Sequence, residues 1–264
     1  MLKEKSPEYE EHENNPPYSP FIKGGDSLSP PLKRGDKGGF DRGFSGETLD
    51  VIDDIRIIQK KRGHRCTTDS ILLARLSSPK RHARVLELGT GCGIVSILLA
   101  KKELSLHITA VEIQKEMAEL AERNVFLNNM GAFITVRNED IRKTPQIFPP
   151  SHFDYIVTNP PYRSISSGRT SPSSDRAVAS QEFAVTIKDI MKVSRRLLKT
   201  RGRLNIIYTA DRLADLFAEM RACRIEPKTL RCIYTKEDSE ARLVWVEGVK
   251  GGRPGVKIFS SGLP

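Results

Sequence analysis

The chain has 264 residues, enough for one sizeable domain or two, and no apolar run approaches the roughly 18 residues that a membrane-spanning helix needs. Its cysteines (Cys66, Cys92, Cys223, Cys232) lack Cys-x-x-Cys spacing and no apolar signal core follows Met1, so a cytoplasmic protein with no metal site, no disulfide framework and no membrane partner is expected. The net charge of +10 is uneven: residues 1–48 hold seven Lys/Arg and nine Asp/Glu, the remainder 36 and 24, and a basic body favours an anionic partner, nucleic acid being the commonest.

Residues 1–46 are rich in Pro, Gly, Ser and charge without periodicity, the composition of a disordered extension. From Glu47 the pattern changes. Thr48–Ile52 and Ile55–Gln59 form two short strands joined at Asp53-Asp54, and Lys60–Arg65 is a basic loop containing His64. Thr67-Thr68-Asp69 offers N-cap oxygens to a helix over Ser70–Leu76. Ala83–Leu88 is an apolar strand that runs into Glu87-Leu88-Gly89-Thr90-Gly91-Cys92-Gly93 and then a helix from Ile94. Strand, glycine-rich turn and helix make the nucleotide-binding start of a doubly wound sheet, because glycines permit the tight turn and close approach of a ligand to the backbone. The dinucleotide fingerprint fails, since Ile94 stands where its last glycine belongs. Cys92, between glycines, is a small filler.

His107–Glu112 is the second strand of this unit and ends in a carboxylate about twenty residues after the glycines, placed to accept hydrogen bonds from ribose hydroxyls. Lys115–Asn129 is a helix with Met117, Leu120, Ala121 and Phe126 on its apolar side, closing at Gly131. Phe133–Val136 is a strand followed by Asn138-Glu139-Asp140. Phe153–Thr158 is a buried strand that stops at Asn159-Pro160-Pro161-Tyr162. Two prolines cannot continue a ladder, and they hold Asn159 extended at the strand's carboxyl edge, where open α/β sheets bind ligands. The tetrapeptide also occurs at Asn15-Pro16-Pro17-Tyr18, where no strand precedes it.

Residues 163–174 form a Ser-, Gly- and Arg-rich loop, and Asp175–Thr200 a long helix with Lys188, Lys192, Arg195 and Lys199 in a basic stripe. Arg203–Tyr208 is a strand, Asp211–Arg221 a helix, and Thr229–Tyr234 with Ala241–Val246 a closing antiparallel pair, Trp245 being core. The expected fold class is α/β: a doubly wound, mostly parallel seven-stranded Rossmann-like sheet with a terminal antiparallel strand pair and a small N-terminal β-hairpin.

Asn-Pro-Pro-Tyr after such a strand, with the Gly-x-Gly-x-Gly loop, resembles the S-adenosylmethionine-dependent methyltransferases that act on planar amide or amino nitrogens. The hairpin, the Gly63-His64-Arg65 segment and Asp69 resemble in particular the bacterial tRNA(Val) adenine-N6 methyltransferases, with His64 where that family has another aromatic, and the similarity runs from about Glu47 to Val256. The resemblance implies S-adenosyl-L-methionine as cofactor, held by Asp69, Glu87, Gly89, Thr90, Gly91, Gly93, Glu112 and Asp140, with Glu139 as the alternative to Asp140. It implies a catalytic Asn159, Pro160, Pro161 and Tyr162, with Tyr162 stacking on a target base turned out of its helix or loop. Segments 1–46, 47–82, 83–256 and 257–264 are then extension, lead-in, methyltransferase domain and tail. The expected activity is N6-methylation of an adenine in structured RNA, a tRNA near its anticodon, by a monomer. A release-factor glutamine methyltransferase, a guanine-N2 rRNA methyltransferase and a non-enzymatic binding module are the alternatives.

Overall fold

The computed structural model describes residues 46–61, 65–160, 185–234 and 240–259. The tail before residue 46, His64, Pro161, Tyr162, the loop at 163–174 and the first part of the long helix lie outside the described residues.

Strands β1 (Glu47–Ile52) and β2 (Ile55–Lys60) pair antiparallel as a separate two-stranded sheet, the turn between them placing Asp53 and Asp54 at positive φ. Helix α1 (Thr68–Leu76) follows; its N-cap is Thr67, whose side chain makes no capping bond. The main sheet is built from β3 (Arg84–Leu88), β4 (His107–Glu112), β5 (Ile134–Asn138), β6 (Phe153–Thr158), β7 (Leu198–Thr209), β8 (Ile225–Ile233), β9 (Leu243–Lys250) and β10 (Lys257–Phe259). Helices α2 (Ile94–Lys102), α3 (Lys115–Leu127), α4 (Thr144–Ile147), α5 (Ile187–Leu197) and α6 (Leu213–Ala222) connect them.

The strand order is β10-β8-β9-β7-β6-β3-β4-β5. The run from β7 to β5 is parallel, and β9 lies antiparallel between β7 and β8. The expected doubly wound sheet with its terminal antiparallel pair is present, and β10 adds an eighth strand, parallel to β8, within the segment expected to be a tail. The order reverses on either side of β3, which leaves a crevice at the carboxyl edge there. Among the described residues no helix is long and apolar enough to cross a membrane.

Alternation along the strands feeds two cores. Val85, Ile108, Ala110, Tyr155 and Val157 face β2, α1, α2 and α3, whereas Leu86, Leu88, Val111 and Ile156 face α5 and α6.

Three sequence expectations change. The helix expected to reach Thr200 ends at Leu197, because Leu198 is extended and pairs with Phe153 of β6. Lys199 therefore leaves the basic stripe and pairs with Asp154 at 2.6 Å. Helix α3 closes not at Gly131 but through Asn129 at φ 57, with Met130 N–H donating to Val125 C=O (2.9 Å) and Asn129 N–H to Phe126 C=O (3.0 Å). That double bond is the left-handed termination in which asparagine substitutes for glycine. Finally, Phe126 is 60% exposed, while Asn124 is fully buried. The inward stripe runs Met117, Leu120, Ala121, Asn124 and Leu127, the helical spacing that Phe126 misses.

Asn124 is buried for a reason. Its Oδ1 accepts from Ile58 N–H (2.8 Å), and its Nδ2 donates to Ile58 C=O (3.0 Å) and to Cys92 C=O (2.9 Å) in the glycine loop. One turn later Asn128 repeats the first pair, accepting from Arg56 N–H (3.0 Å) and donating to Arg56 C=O (2.7 Å). Two amides at i and i+4 thus satisfy the outer edge of β2 as a neighbouring strand would. Arg123 closes the joint with two bonds to Glu47 (2.8 and 2.6 Å). Replacing Asn124 with alanine strands two carbonyls and an amide N–H, and is expected to cost roughly 2–4 kcal/mol in chemical denaturation. Asn128→Ala, at a more exposed site, is expected to cost about 1 kcal/mol. Equal small losses for both would refute this account of the joint.

Candidate active site

The residues expected to act on ligands collect at the carboxyl edge of the parallel strands. The loop after β3 carries Gly89, Gly91 and Gly93 at φ 79, 57 and 87. Left-handed backbone at three alternate positions is what glycine alone adopts without strain. The glycines differ in what they face. A Cβ on Gly93 would stand 3.3 Å from the Ala121 Cβ, so this residue lets α2 and α3 approach. At Gly89 and Gly91, chain neighbours aside, none of the described residues comes within 4 Å of a Cβ position, and among them the space over the loop is open. Gly89 and Thr90 N–H both donate to Val111 C=O (2.9 and 3.0 Å), which ties the loop to β4.

Two carboxylates hold this loop from opposite ends. Glu87, 2% exposed, accepts at Oε2 from Thr90 Oγ1 (2.8 Å), from Ser96 N–H (3.1 Å) and from Ser96 Oγ. Its place in the structure is that of a brace between β3, the loop and the first turn of α2. Burial raises its carboxyl to about 7; the bonds from Ser96 and Thr90 oppose the shift, and the nearby Glu112 adds to it. Glu112, 6% exposed, accepts from Gly91 N–H (2.9 Å) at Oε2 and from Gln114 N–H (2.9 Å) at Oε1. A carboxylate has about four lone-pair positions, so Glu112 retains accepting capacity for a ribose after both bonds. Cys92 is buried and its thiol is pushed up to about 12 by that burial, which suits a filler and not a nucleophile.

The turn after β5 is zipped to the end of β4. Asn138 Nδ2 donates to Glu112 C=O (2.9 Å) and Ile113 C=O (3.0 Å), and Glu139 N–H donates to Glu112 C=O (3.0 Å). Asp140 caps the following 3-10 turn by accepting from Arg142 N–H (2.8 Å), and takes Arg142 Nε and Nη2 on its carboxylate (2.9 and 2.6 Å). The hydrogen bonds from Arg142 hold its carboxyl below the usual range.

On the other side of β3, Leu88 pairs with Thr158, and Thr158 Oγ1 donates to Leu88 C=O (2.9 Å), so Asn159 and Pro160 emerge beside the glycine loop. Asn159 Nδ2 donates to Ser70 Oγ (3.0 Å) in the first turn of α1, one residue after Asp69. The lead-in helix and the residue expected to act on substrate, 89 positions apart, are thereby joined. The segment entering α1 is itself held by the hairpin: Gln59 donates to Asp50 Oδ2 (2.6 Å) and accepts from Cys66 N–H (2.6 Å), and Arg65 reaches Asp50 Oδ2 (2.7 Å).

Of the expected site residues, Asp69, Glu87, Gly89, Thr90, Gly91, Gly93, Glu112, Asp140, Asn159 and Pro160 are described, and they share this edge. Pro161 and Tyr162 lie outside the described residues. Ser70, Ser96 and Asn124 were not singled out by the sequence; each is a polar residue inside a helix whose partner is remote or buried. A shallow recess lined by Arg84, His107, Thr135, His152 and Phe153 opens at the opposite, amino-terminal edge of the strands and contains none of these residues.

This topology with a glycine loop at the crevice defines a Rossmann-like methyltransferase. Residues 66–220 match the methyltransferase small domain family, and the chain belongs to it. It is a methyltransferase, with S-adenosylmethionine as the methyl donor; the open backbone over Gly89 and Gly91 and the carboxylate of Glu112 fit that cofactor, which they would hold at the loop and at a ribose. A curated relative, the tRNA1(Val) (adenine(37)-N6)-methyltransferase of Tolumonas auensis, is 30% identical over 181 residues, covering 65% of this chain and 74% of the relative. The enzyme of that name from Glaesserella parasuis is 32% identical over 149 residues, covering 56% of this chain and 60% of its own length. Among solved structures, a predicted O-methyltransferase from Agrobacterium tumefaciens shares the fold at TM-score 0.59 and 23% identity, over 73% of this chain and 86% of that one. TYW2 of M. jannaschii shares it at TM-score 0.53 and 13% identity, over 79% and 87%.

Two measurements probe the loop. Gly89→Ala is expected to leave the protein folded, at about 1–2 kcal/mol of backbone strain, and to weaken S-adenosylmethionine binding at least tenfold in calorimetry, because the new methyl enters the open space. Unchanged affinity would exclude that space as the cofactor's. For Glu87 the folded value near 7 exceeds the ordinary 4.5, so the folded state binds the extra proton between those values. Stability is therefore expected to fall as pH rises from about 4.5 to about 7. Urea denaturation of Glu87→Gln across that window should show a flatter profile than wild type, and an identical slope would remove Glu87 as its source.

Proposed function

We propose that this methyltransferase modifies the N6 amino group of an adenine in tRNA, and specifically the adenosine on the 3′ side of the anticodon in a valine tRNA. The observation that carries the reading is Asn159-Pro160 at the end of β6, beside the glycine loop, with the Asn159 amide nitrogen engaged by Ser70. Engagement of Nδ2 sets the rotation of the amide and makes Oδ1 its accepting end. The curated names of the relatives supply the substrate class, and the excess of basic over acidic side chains suits a polyanion.

The chemistry follows from the target. The lone pair of an exocyclic amino group is delocalised into the ring, so the nitrogen is a poor nucleophile. Accepting its two N–H bonds at Asn159 Oδ1 and the Pro160 carbonyl pulls the nitrogen out of the ring plane and localises the pair. S-adenosylmethionine supplies an electrophilic methyl on sulfonium sulfur. The alkylated nitrogen is acidic and releases one proton to solvent, so positioning and oriented dipoles do the work of a strong base. Pro160 contributes by rigidity, since it fixes the carbonyl it carries and keeps Asn159 extended. Tyr162 is assigned the stacking of the extruded base, and an unpaired loop adenine is the cheapest to extract.

Labelled-methyl transfer into total tRNA, followed by nucleoside analysis, tests the reading; label is expected in N6-methyladenosine. Label recovered in release factor, or in N2-methylguanosine of rRNA, would overturn it. Asn159→Ala is expected to lower kcat on the order of 10²–10³-fold while cofactor affinity measured by calorimetry stays near wild type. A loss confined to cofactor binding would assign Asn159 a different role.

A further inference from the structure

The helices of this protein treat their positive charges in two ways. On α1, Arg75 meets Asp53 at 2.6 Å. On α2, Lys101 meets Asp53 C=O and Asp54, and Lys102 donates to the carbonyls of Arg75 and Ser77. On α3, Lys115 meets Glu119, and Arg123 meets Glu47. On α6, Arg221 meets Glu226 at 3.4 Å. Helix α5 differs: Lys188, Lys192 and Arg195 are exposed and, among the described residues, no ion pair or hydrogen bond holds any of their side chains.

These three fall at i, i+4 and i+7, one face of a helix whose other face supplies Ile190, Met191, Val193 and Leu197 to the core. The charges of all three act on the thiol of Cys223, just past the end of α6, and that of Arg195 acts on Lys250, which donates to Leu198 C=O (2.6 Å). The acidic groups nearby do not cancel them. Asp189 is spent on the capping box with Thr186, and Glu219 acts on Cys223 as one carboxylate beside the three cations.

The stripe has a direction. Because β6 and β7 are parallel, the chain leaves β6 at the carboxyl edge and must return to the amino edge before Leu198, and α5 is the last leg of that return. Its first turn is therefore the end closer to the site, where Asp189 acts on Arg142 in the turn that carries Asp140. From Lys188 to Arg195 the stripe runs about 10 Å down the flank of the domain.

We infer that the exposed face of α5, through Lys188, Lys192 and Arg195, is a docking surface for the phosphate backbone of the RNA stem whose loop enters the site. This inference rests on the RNA reading above. Unpaired cations at helical spacing grip successive phosphates of one strand without reading sequence, so they would fix the stem's angle while Asn159 and Pro160 select the base. Keeping them free of carboxylate partners avoids an exchange of partners on binding.

The test uses the full chain carrying K188Q, K192Q and R195Q together, none of which touches the site. Binding to an unmodified tRNA transcript is measured across a salt series. The slope of log affinity against log salt is expected to shrink by about three, roughly one for each lost contact. At moderate salt KM for tRNA should rise on the order of tenfold, with kcat, S-adenosylmethionine affinity and Tm unchanged. Lys192→Gln alone should shrink the slope by about one and serves if the triple variant misfolds. Wild-type slope and KM in a folded variant would overturn the docking surface and leave the activity standing. If wild type transfers no methyl to tRNA, the functional reading fails and this inference with it.

Discussion

The buried amide of Asn124 joins three stretches of chain that the sequence keeps far apart. From one position on α3 it bonds the N–H and C=O of Ile58 in the hairpin and the C=O of Cys92 in the glycine loop. A carbonyl in a tight turn must find a donor, and an apolar residue at 124 would leave this one stranded. The loop's geometry therefore depends on the glycines and also on a helix that already carries the hairpin. Gly93 makes the closeness possible, because a side chain there would push against Ala121, one turn before the amide.

From this joint the site is organised by acceptors. Glu87 and Glu112 both spend carboxylate oxygens on the loop, one from beneath and buried, the other from the end of β4. Burial with a second carboxylate nearby drives the first toward its neutral form. The same economy recurs at β6, where Thr158 ties the strand to β3 and the amide of Asn159 is oriented by a serine from the lead-in. Dipoles oriented before substrate arrives suit the transfer to a weakly nucleophilic nitrogen proposed above.

Much of this was legible in the chain. The strand Phe153–Thr158 has the same bounds in sequence and structure, because two prolines follow it in the chain and Tyr155-Ile156-Val157 is a continuous apolar run. The glycine spacing and the carboxylate after the next strand located the crevice. What escaped was long-range or polar. Asn124 and Asn128 passed without remark, since nothing local announces a strand edge 66 and 72 positions earlier. Leu198 continues a helical spacing and was assigned to the helix, whereas pairing with Phe153 claims it for β7. β10 is three exposed residues without alternation, and only its parallel pairing with Thr229–Arg231 makes it a strand. Those are tertiary decisions overriding local preference.

The bond between Ser70 and Asn159 has a corollary. A Rossmann-like body starting at Ala83 would keep every strand of the main sheet, yet Asn159 would lose its bond to Ser70. The first helix, with the hairpin that holds its entry, is thus a structural part of the corner at Asn159. An exchange of this preface for another is expected to alter the aim of Asn159 and, through the Asn124 joint, the seat of the glycine loop together.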